Sequence, residues 1–229
     1  MTTVDQDAQS VVALFVRVPI PGRVKTRLAA AIGERQACTL YQAMVTDVLA
    51  AVRASGLPLY LFHDDRGDGA LPAAWVDAAV KVVPQSGGDI GERMAAGFAH
   101  CFAEGMNRVM LVGSDIPALH GAMLTEAARA QTAHDVVLAP ASDGGYCLIA
   151  LRRDRFRPEL FEEVPWSSGR VLAATLQLCG RYGLDVQLLP TLSDIDTVDD
   201  LRKYADHPVS HAATTNRALR EIVKEWNRG

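Results

Sequence analysis

Val11-Val12-Ala13-Leu14-Phe15-Val16 is an unbroken apolar run rich in β-branched side chains. A run of this kind suits a strand covered on both faces, as in a parallel sheet flanked by helices. Pro19-Ile20-Pro21-Gly22-Arg23-Val24-Lys25-Thr26-Arg27 follows, with three cations within five residues on a loop stiffened by prolines. Ligands of open α/β sheets bind outside the carboxyl ends of strands, which is where this loop lies. The planar Arg fork and the compact Lys charge both suit phosphate oxygens, and Gly22 lets the backbone approach them closely. The spacing is neither that of a Walker A loop nor the GxGxxG of a dinucleotide-binding turn. The competing reading is a solvated basic loop with Arg27 paired to a surface acid.

Working outward, Ala37, Leu40, Tyr41, Met44, Val45, Val48, Leu49 and Val52 recur at helical spacing, and Gly56 follows the last turn. Further strands are expected at 59–62, 108–112, 136–139, 146–151 and 186–189, with a short segment near 81–83. Helices are expected at 92–104, 122–131 and 170–181, and loops carry Gly67 and Gly69. Strands alternating with helices predict a three-layer αβα domain. Gly144-Gly145 separates two strands by too little chain for a helical crossover, so the central sheet should be mixed and mostly parallel. The domain is expected to span residues 1–206, followed by a tail at 207–229. In that tail Leu219, Ile222, Val223 and Trp226 form an apolar stripe that either docks on the domain or packs against a second copy in a homodimer.

With 229 residues, 49% of them apolar, the chain has enough material for one substantial core. A formal charge of −4 disfavours nonspecific attraction to nucleic acid or to an anionic membrane. Cys38, Cys101, Cys147 and Cys179 are scattered through apolar stretches, as buried thiols of a reducing compartment would be. No apolar run near the start reaches the length of a secretion signal or membrane span, so a cytoplasmic location is expected. HExxH and GxSxG are both absent, which disfavours zinc and serine hydrolases.

Acids stand at two other strand or loop ends. Gly113-Ser114-Asp115-Ile116-Pro117 follows the strand at 108–112, and a carboxylate there must be paired, metal-bound or used as a helix cap. Leu192-Ser193-Asp194-Ile195-Asp196-Thr197-Val198-Asp199-Asp200 precedes a helix running to Tyr204, with Thr197 as cap and Asp199 and Asp200 favoured by the dipole. Asp194 and Asp196 are left over, on one side of an extended segment, and either can complete a metal site with Asp115. Mg²⁺ or Mn²⁺ is the expected cofactor, since hard cations take carboxylate and phosphate oxygens. Repulsion among the three acids should then leave an Asp115→Asn variant at least as stable as wild type without metal. Gln85-Ser86-Gly87-Gly88-Asp89-Ile90-Gly91-Glu92-Arg93 and Asp143-Gly144-Gly145-Tyr146 are glycine-dense and can approach a planar ligand, though ordinary turns look the same. Trp166-Ser167-Ser168 either lines an acceptor pocket or ends in a helix cap at Ser168.

Taken in order, FVRVPIPGRVKTRL, QSGGDIGERM, LVGSDIPAL, APASDGGYCLIAL, VPWSS and LSDIDTVDDL resemble a bacterial family with the glycosyltransferase A (GT-A), nucleotide-diphospho-sugar transferase fold. Its members are often named as glycosyltransferases associated with radical-SAM or arsenosugar-biosynthesis genes. The layout is also similar to the guanylyltransferases of molybdenum-cofactor and deazaflavin-cofactor assembly and to sugar-phosphate nucleotidyltransferases. The resemblance implies that Pro21, Gly22, Arg23, Lys25 and Arg27 hold nucleotide phosphates. It implies Asp115 and Asp196 as metal ligands, with Asp194 the lesser candidate, and Lys25, Asp115 and Asp196 as the catalytic set. Gln85, Gly88, Asp89 and Arg93 would face the base or ribose, and Gly144 and Gly145 would border the nucleotide. Family members more usually carry Lys at the position of Arg17. The implied activity is a metal-dependent transferase that uses an NTP or a nucleotide sugar with a small-molecule acceptor. The alternatives are a non-catalytic nucleotide-binding protein of the same fold and, behind it, a phosphate-ester hydrolase without a recognisable nucleophile motif.

Overall fold

A computed structural model describes residues 9–64 and 69–226, with the side chains of 225 and 226 excepted. Gly67 and the Trp226 side chain of the expected stripe lie outside the described residues. The first apolar run forms β1 (Ser10–Val16), buried along its whole length. Its alternate side chains feed two separate cores, Val12, Leu14 and Val16 on one face and Val11, Ala13 and Phe15 on the other. That division is why the run has no polar positions: both faces of the sheet are covered.

After β1 the chain forms α1 (Thr26–Ile32), α2 (Glu34–Ser55), β2 (Leu59–His63), α3 (Ala73–Asp77) and β3 (Lys81–Pro84). It continues through α4 (Ile90–Ala103), β4 (Arg108–Val112), α5 (Gly121–Ala130), β5 (Val136–Pro140) and β6 (Tyr146–Arg152). The remaining elements are α6 (Val171–Arg181), β7 (Val186–Leu188), α7 (Val198–Asp206) and α8 (Ala213–Trp226). The seven strands lie in the order β3-β2-β1-β4-β6-β5-β7. Only β6 runs against its neighbours, pairing antiparallel with β4 and β5. The result is a three-layer αβα fold with a mixed, mostly parallel sheet. Helices α2 and α5 pack on the face of Leu14, and α4 and α6 on the face of Phe15.

Two short helices were not legible in the sequence. Helix α1 begins at Thr26, so Arg27 sits in a first helical turn and not on the proline-stiffened loop. Helix α3 is only five residues long and is held by the burial of Trp75, so it lacks the periodic stripe that identifies longer helices.

Register brings the functional ends together. Leu14 pairs with Val112, so the loops after β1 and β4 leave one edge side by side, where the strand order reverses. On the far side of β4, Leu192 N–H donates to Pro140 O at 2.8 Å and Ile195 N–H donates to the backbone O of Asp115 at 3.2 Å. These two bonds run residues 192–196 from the end of β5 to the loop after β4.

All four cysteines are buried and unpaired. Among the described residues no helix is long and apolar enough to cross a membrane. Helix α8 packs on α2, with Leu219 and Ile222 in the core. Asp47 of α2, itself buried, accepts from the first-turn N–H groups of Thr214 (3.1 Å) and Thr215 (2.7 Å). It therefore caps α8 from a neighbouring helix, pairing orphan donors with a negative charge at the positive end of the dipole. Replacing Asp47 with Ala is expected to lower stability by about 2–3 kcal/mol, read from urea denaturation. An unchanged midpoint would show that apolar contacts alone dock α8.

Candidate active site

Lys25 occupies the left-handed region at φ 49°, ψ 45°, immediately before α1. For a residue with a Cβ this conformation costs about 1–2 kcal/mol. It turns the side chain inward: the Lys25 side chain is only 4% exposed, and Nζ donates to Asp115 Oδ2 at 2.6 Å and to Asp196 Oδ1 at 3.3 Å. Arg27 reaches the other oxygen of Asp196 at 2.8 Å from a side chain that is 72% exposed. The two carboxylates are about one-third exposed and so face the solvent-filled crevice. Asp115 is therefore an ion-pair partner, and the following chain turns without using its carboxylate as a cap.

The electrostatics follow from this geometry. Burial alone would depress the Lys25 ammonium, but attraction to Asp115 and then Asp196 outweighs it, and its pKa stands above the ordinary value. Burial would likewise raise Asp115, yet the adjacent Lys25 charge holds it below the usual carboxylate range. Asp194 lies in the same field, where the pull of Lys25 is outweighed. Burial, reinforced by the charge on Asp115, pushes its carboxyl up to about 6.

The cavity at this edge has a volume of about 370 Å³. Its lining includes Arg17, Lys25, Arg27, Asp64, Gln85, Arg93, Asp115 and Asp196. Gly22 and Arg23 border an adjoining hollow that shares Arg17, Thr26 and Asp64 with it. Pro21, Gly88, Asp89, Gly144 and Gly145 are not among the residues lining the main cavity. Asp89 is the N-cap of α4, accepting from Glu92 N–H at 2.8 Å, and Arg93 donates to the carbonyls of Gly87 and Gly88. Gly144, at φ 91°, lies so close to Gly169 that a Cβ would fall 2.3 Å from its carbonyl oxygen. The glycine pair thus holds two loops together by backbone contact. Ser168 does not cap α6: its hydroxyl donates to Pro165 O and accepts from Arg170 N–H.

Two residues of the site were missed in the sequence. Tyr41 counts as one more apolar position in the α2 stripe, but its buried hydroxyl accepts from Arg17 N–H at 2.8 Å and shares a 3.1 Å hydrogen bond with Ser114. It ties the loop after β1 to the loop after β4. Asp64 follows β2 at the same edge and accepts from Val18 N–H at 2.8 Å. Its position directly after a buried strand was the available signal.

Among the described residues no group of three or more His, Cys, Asp or Glu side chains is arranged to hold a metal ion unaided. Asp115, Asp194 and Asp196 therefore do not make a closed carboxylate cage, and the cation between Asp115 and Asp196 is the Lys25 ammonium. Two crevice-facing carboxylates nevertheless match the donor set of Mg²⁺, which takes one or two protein carboxylates and completes its shell with substrate phosphates and water.

The ion pair also reverses the expectation for Asp115. Without it a nearly buried ammonium keeps one longer carboxylate contact, so Asp115→Asn is expected to lower apo stability by about 2 kcal/mol instead of relieving repulsion. The raised Asp194 acts with the opposite sign. The folded state holds its proton more tightly than the unfolded chain, so this residue's contribution to stability falls as pH rises from about 4 to about 6. Asp194→Asn should therefore raise the Tm above pH 7 and leave it unchanged below pH 4. Equal Tm values for variant and wild type at both pH values would contradict this environment.

A family model described as "uncharacterized protein conserved in bacteria (DUF2064)" matches residues 47–168, just over half of the chain. A structure from Desulfovibrio desulfuricans G20, named as a nucleotide-diphospho-sugar transferase, superposes with a TM-score of 0.81 at 32% identity, covering 93% of this chain and 98% of that one. The 2-phospho-L-lactate guanylyltransferase of Methanothrix thermoacetophila is 31% identical over 138 residues, 58% of this chain and 58% of that protein's own length. A Mycobacterium tuberculosis H37Rv protein solved as a manganese complex shares the fold at 18% identity, with a TM-score of 0.50 over 87% of this chain and 99% of that one. The chain has the GT-A-like fold of the nucleotidyltransferase and glycosyltransferase superfamily and belongs to the bacterial DUF2064 family.

Proposed function

We propose that this chain transfers a nucleotidyl group from a metal-bound nucleoside triphosphate to a small phosphorylated or carboxylated acceptor. That it is a transferase-like enzyme rests on its sequence and fold likeness to nucleotidyl- and glycosyltransferases. One observation carries the finer reading: a buried lysine and an exposed arginine converge on two carboxylates at the switch point of the sheet. Such a site offers cationic groups to phosphate oxygens and oxygen ligands to the metal that accompanies them.

In the reaction an acceptor oxygen attacks the α-phosphorus, the bond to the β-phosphate bridging oxygen breaks, and pyrophosphate leaves with the electron pair. Lys25 and Arg27 stabilise negative charge on the nonbridging and leaving oxygens. Asp115 and Asp196 would hold Mg²⁺ or Mn²⁺, which when bound would supply Lewis-acid polarisation of the phosphate oxygens. Tyr41 keeps the two loops that carry these groups in register. The manganese complex of the mycobacterial relative supports the metal, and the likeness to the guanylyltransferase supports nucleotidyl transfer. A second reading, glycosyl transfer from a nucleotide sugar, is favoured by the longer likeness to the Desulfovibrio protein. The two differ in the leaving group, pyrophosphate in one and a nucleoside diphosphate in the other.

Thermal-shift titration of NTPs and nucleotide sugars with and without Mg²⁺ tests the proposal. Lys25→Met and Arg27→Ala should each weaken nucleotide affinity by about 1.5–3 kcal/mol, the worth of a charge-assisted contact. Asp115→Asn should remove the metal-dependent part of the shift, measured relative to its own lower apo Tm. Undiminished affinity in both cation variants would remove the phosphate assignment, and undiminished metal dependence in Asp115→Asn would remove the metal assignment.

A further inference from the structure

Beyond the phosphate end of the cavity, two neighbouring strand ends carry side chains that can only accept hydrogen bonds. Gln85 follows β3, and its backbone N–H donates to His63 O at 2.7 Å. Both hydrogens of its side-chain amide are consumed: Nε2 donates to Val16 O at 3.2 Å and to Phe62 O at 3.1 Å. Since those partners are carbonyl oxygens, the amide cannot be turned over, and Oε1 is its remaining hydrogen-bonding atom. Asp64 follows β2, and the β2–β3 register, which pairs His63 with Pro84, makes Asp64 and Gln85 the next positions on adjacent strands. One Asp64 oxygen is engaged by Val18 N–H, and the carboxylate has no donor to offer. Both residues line the same cavity as Lys25 and Asp115.

Given the nucleotide-binding reading above, on which this step rests, we infer that Asp64 and Gln85 form a two-acceptor wall that reads a base edge with two adjacent donors, and so select guanine nucleotides. Guanine presents N1–H beside its N2 amino group. Adenine and cytosine present one amino group beside a ring-nitrogen acceptor, and uracil presents one N–H between two carbonyl oxygens. Against paired acceptors each of these places at least one lone pair against another, whereas guanine fills both. Position agrees with chemistry. The ends of β2 and β3 lie across β1 from the β4 loop, where the Lys25 ammonium rests on Asp115, about two and three strand spacings away, roughly 10–14 Å. A nucleotide held by its phosphates at Lys25 and lying along this edge brings its base there.

Calorimetric titration of the full chain with Mg²⁺ and, separately, GTP, ITP, dGTP, ATP, CTP and UTP tests the wall without any variant. GTP is expected to bind most tightly and ITP, which lacks only the N2 amino group, about tenfold or more weakly. Asp64→Asn gives an independent reading. Its Oδ1 still accepts from Val18 N–H, so Nδ2 replaces the acceptor that faces the base, and preference should move from GTP toward XTP, whose C2 carries a carbonyl oxygen. Equal affinity for GTP and ITP, tighter binding of another base, or loss confined to dGTP overturns the inference while leaving nucleotide binding in place. The last of these would assign the acceptors to the ribose. Absence of binding by every nucleotide overturns the proposed function itself.

Discussion

The ammonium of Lys25 holds together three segments that are distant in sequence. It is carried by the loop after β1, and its partners come from the loop after β4 and from residues 192–196. A lysine so nearly removed from water is tolerable only because two carboxylates face it, and the carboxylates in turn can crowd one edge of the sheet only because it is there. Backbone bonds make the same connection independently, through Ile195 N–H to Asp115 O and through the hydroxyl of Tyr41 between Arg17 and Ser114. The site is therefore assembled before any ligand arrives, and its strained left-handed residue is the one whose side chain must point inward.

This arrangement bears on how the metal–nucleotide complex of the proposed reaction would enter. An ammonium now satisfies the carboxylates that would ligate a divalent cation. In that proposal a triphosphate bringing its own metal would supply both a replacement cation for the acids and new anionic partners for Lys25 and Arg27. Such an exchange would conserve the pairing of charge within the crevice, leaving no uncompensated buried ion in the complex.

The regular elements were legible wherever side-chain periodicity is imposed by burial. The α2 stripe, ended by Gly56 in the left-handed region, and the buried strands β1 and β4 are such cases. The antiparallel β6 was foreshadowed by Gly144-Gly145, because a link that short cannot cross over the sheet. Helices α1 and α3 were not legible, since each is short and anchored by a few tertiary contacts. The glycine-dense loops show the limit of composition as evidence. Gly144 serves a backbone contact with Gly169, and Asp89 serves a helix end, although both look like ligand-facing residues in one dimension.

By itself the sequence determined the layering, the mixed sheet and which cations and carboxylates stand at strand and loop ends, because alternation of apolar runs and the chemical types of side chains are local properties. Only the tertiary structure decided which of those residues meet. Asp115 and Asp196 share one ammonium while Asp194 is left as a destabilised acid, and Tyr41 and Asp64 join the site from positions that read as core and loop. The physical reason is that ion pairing and hydrogen bonding act over a few ångströms in space, and strand register sets those distances, not separation along the chain.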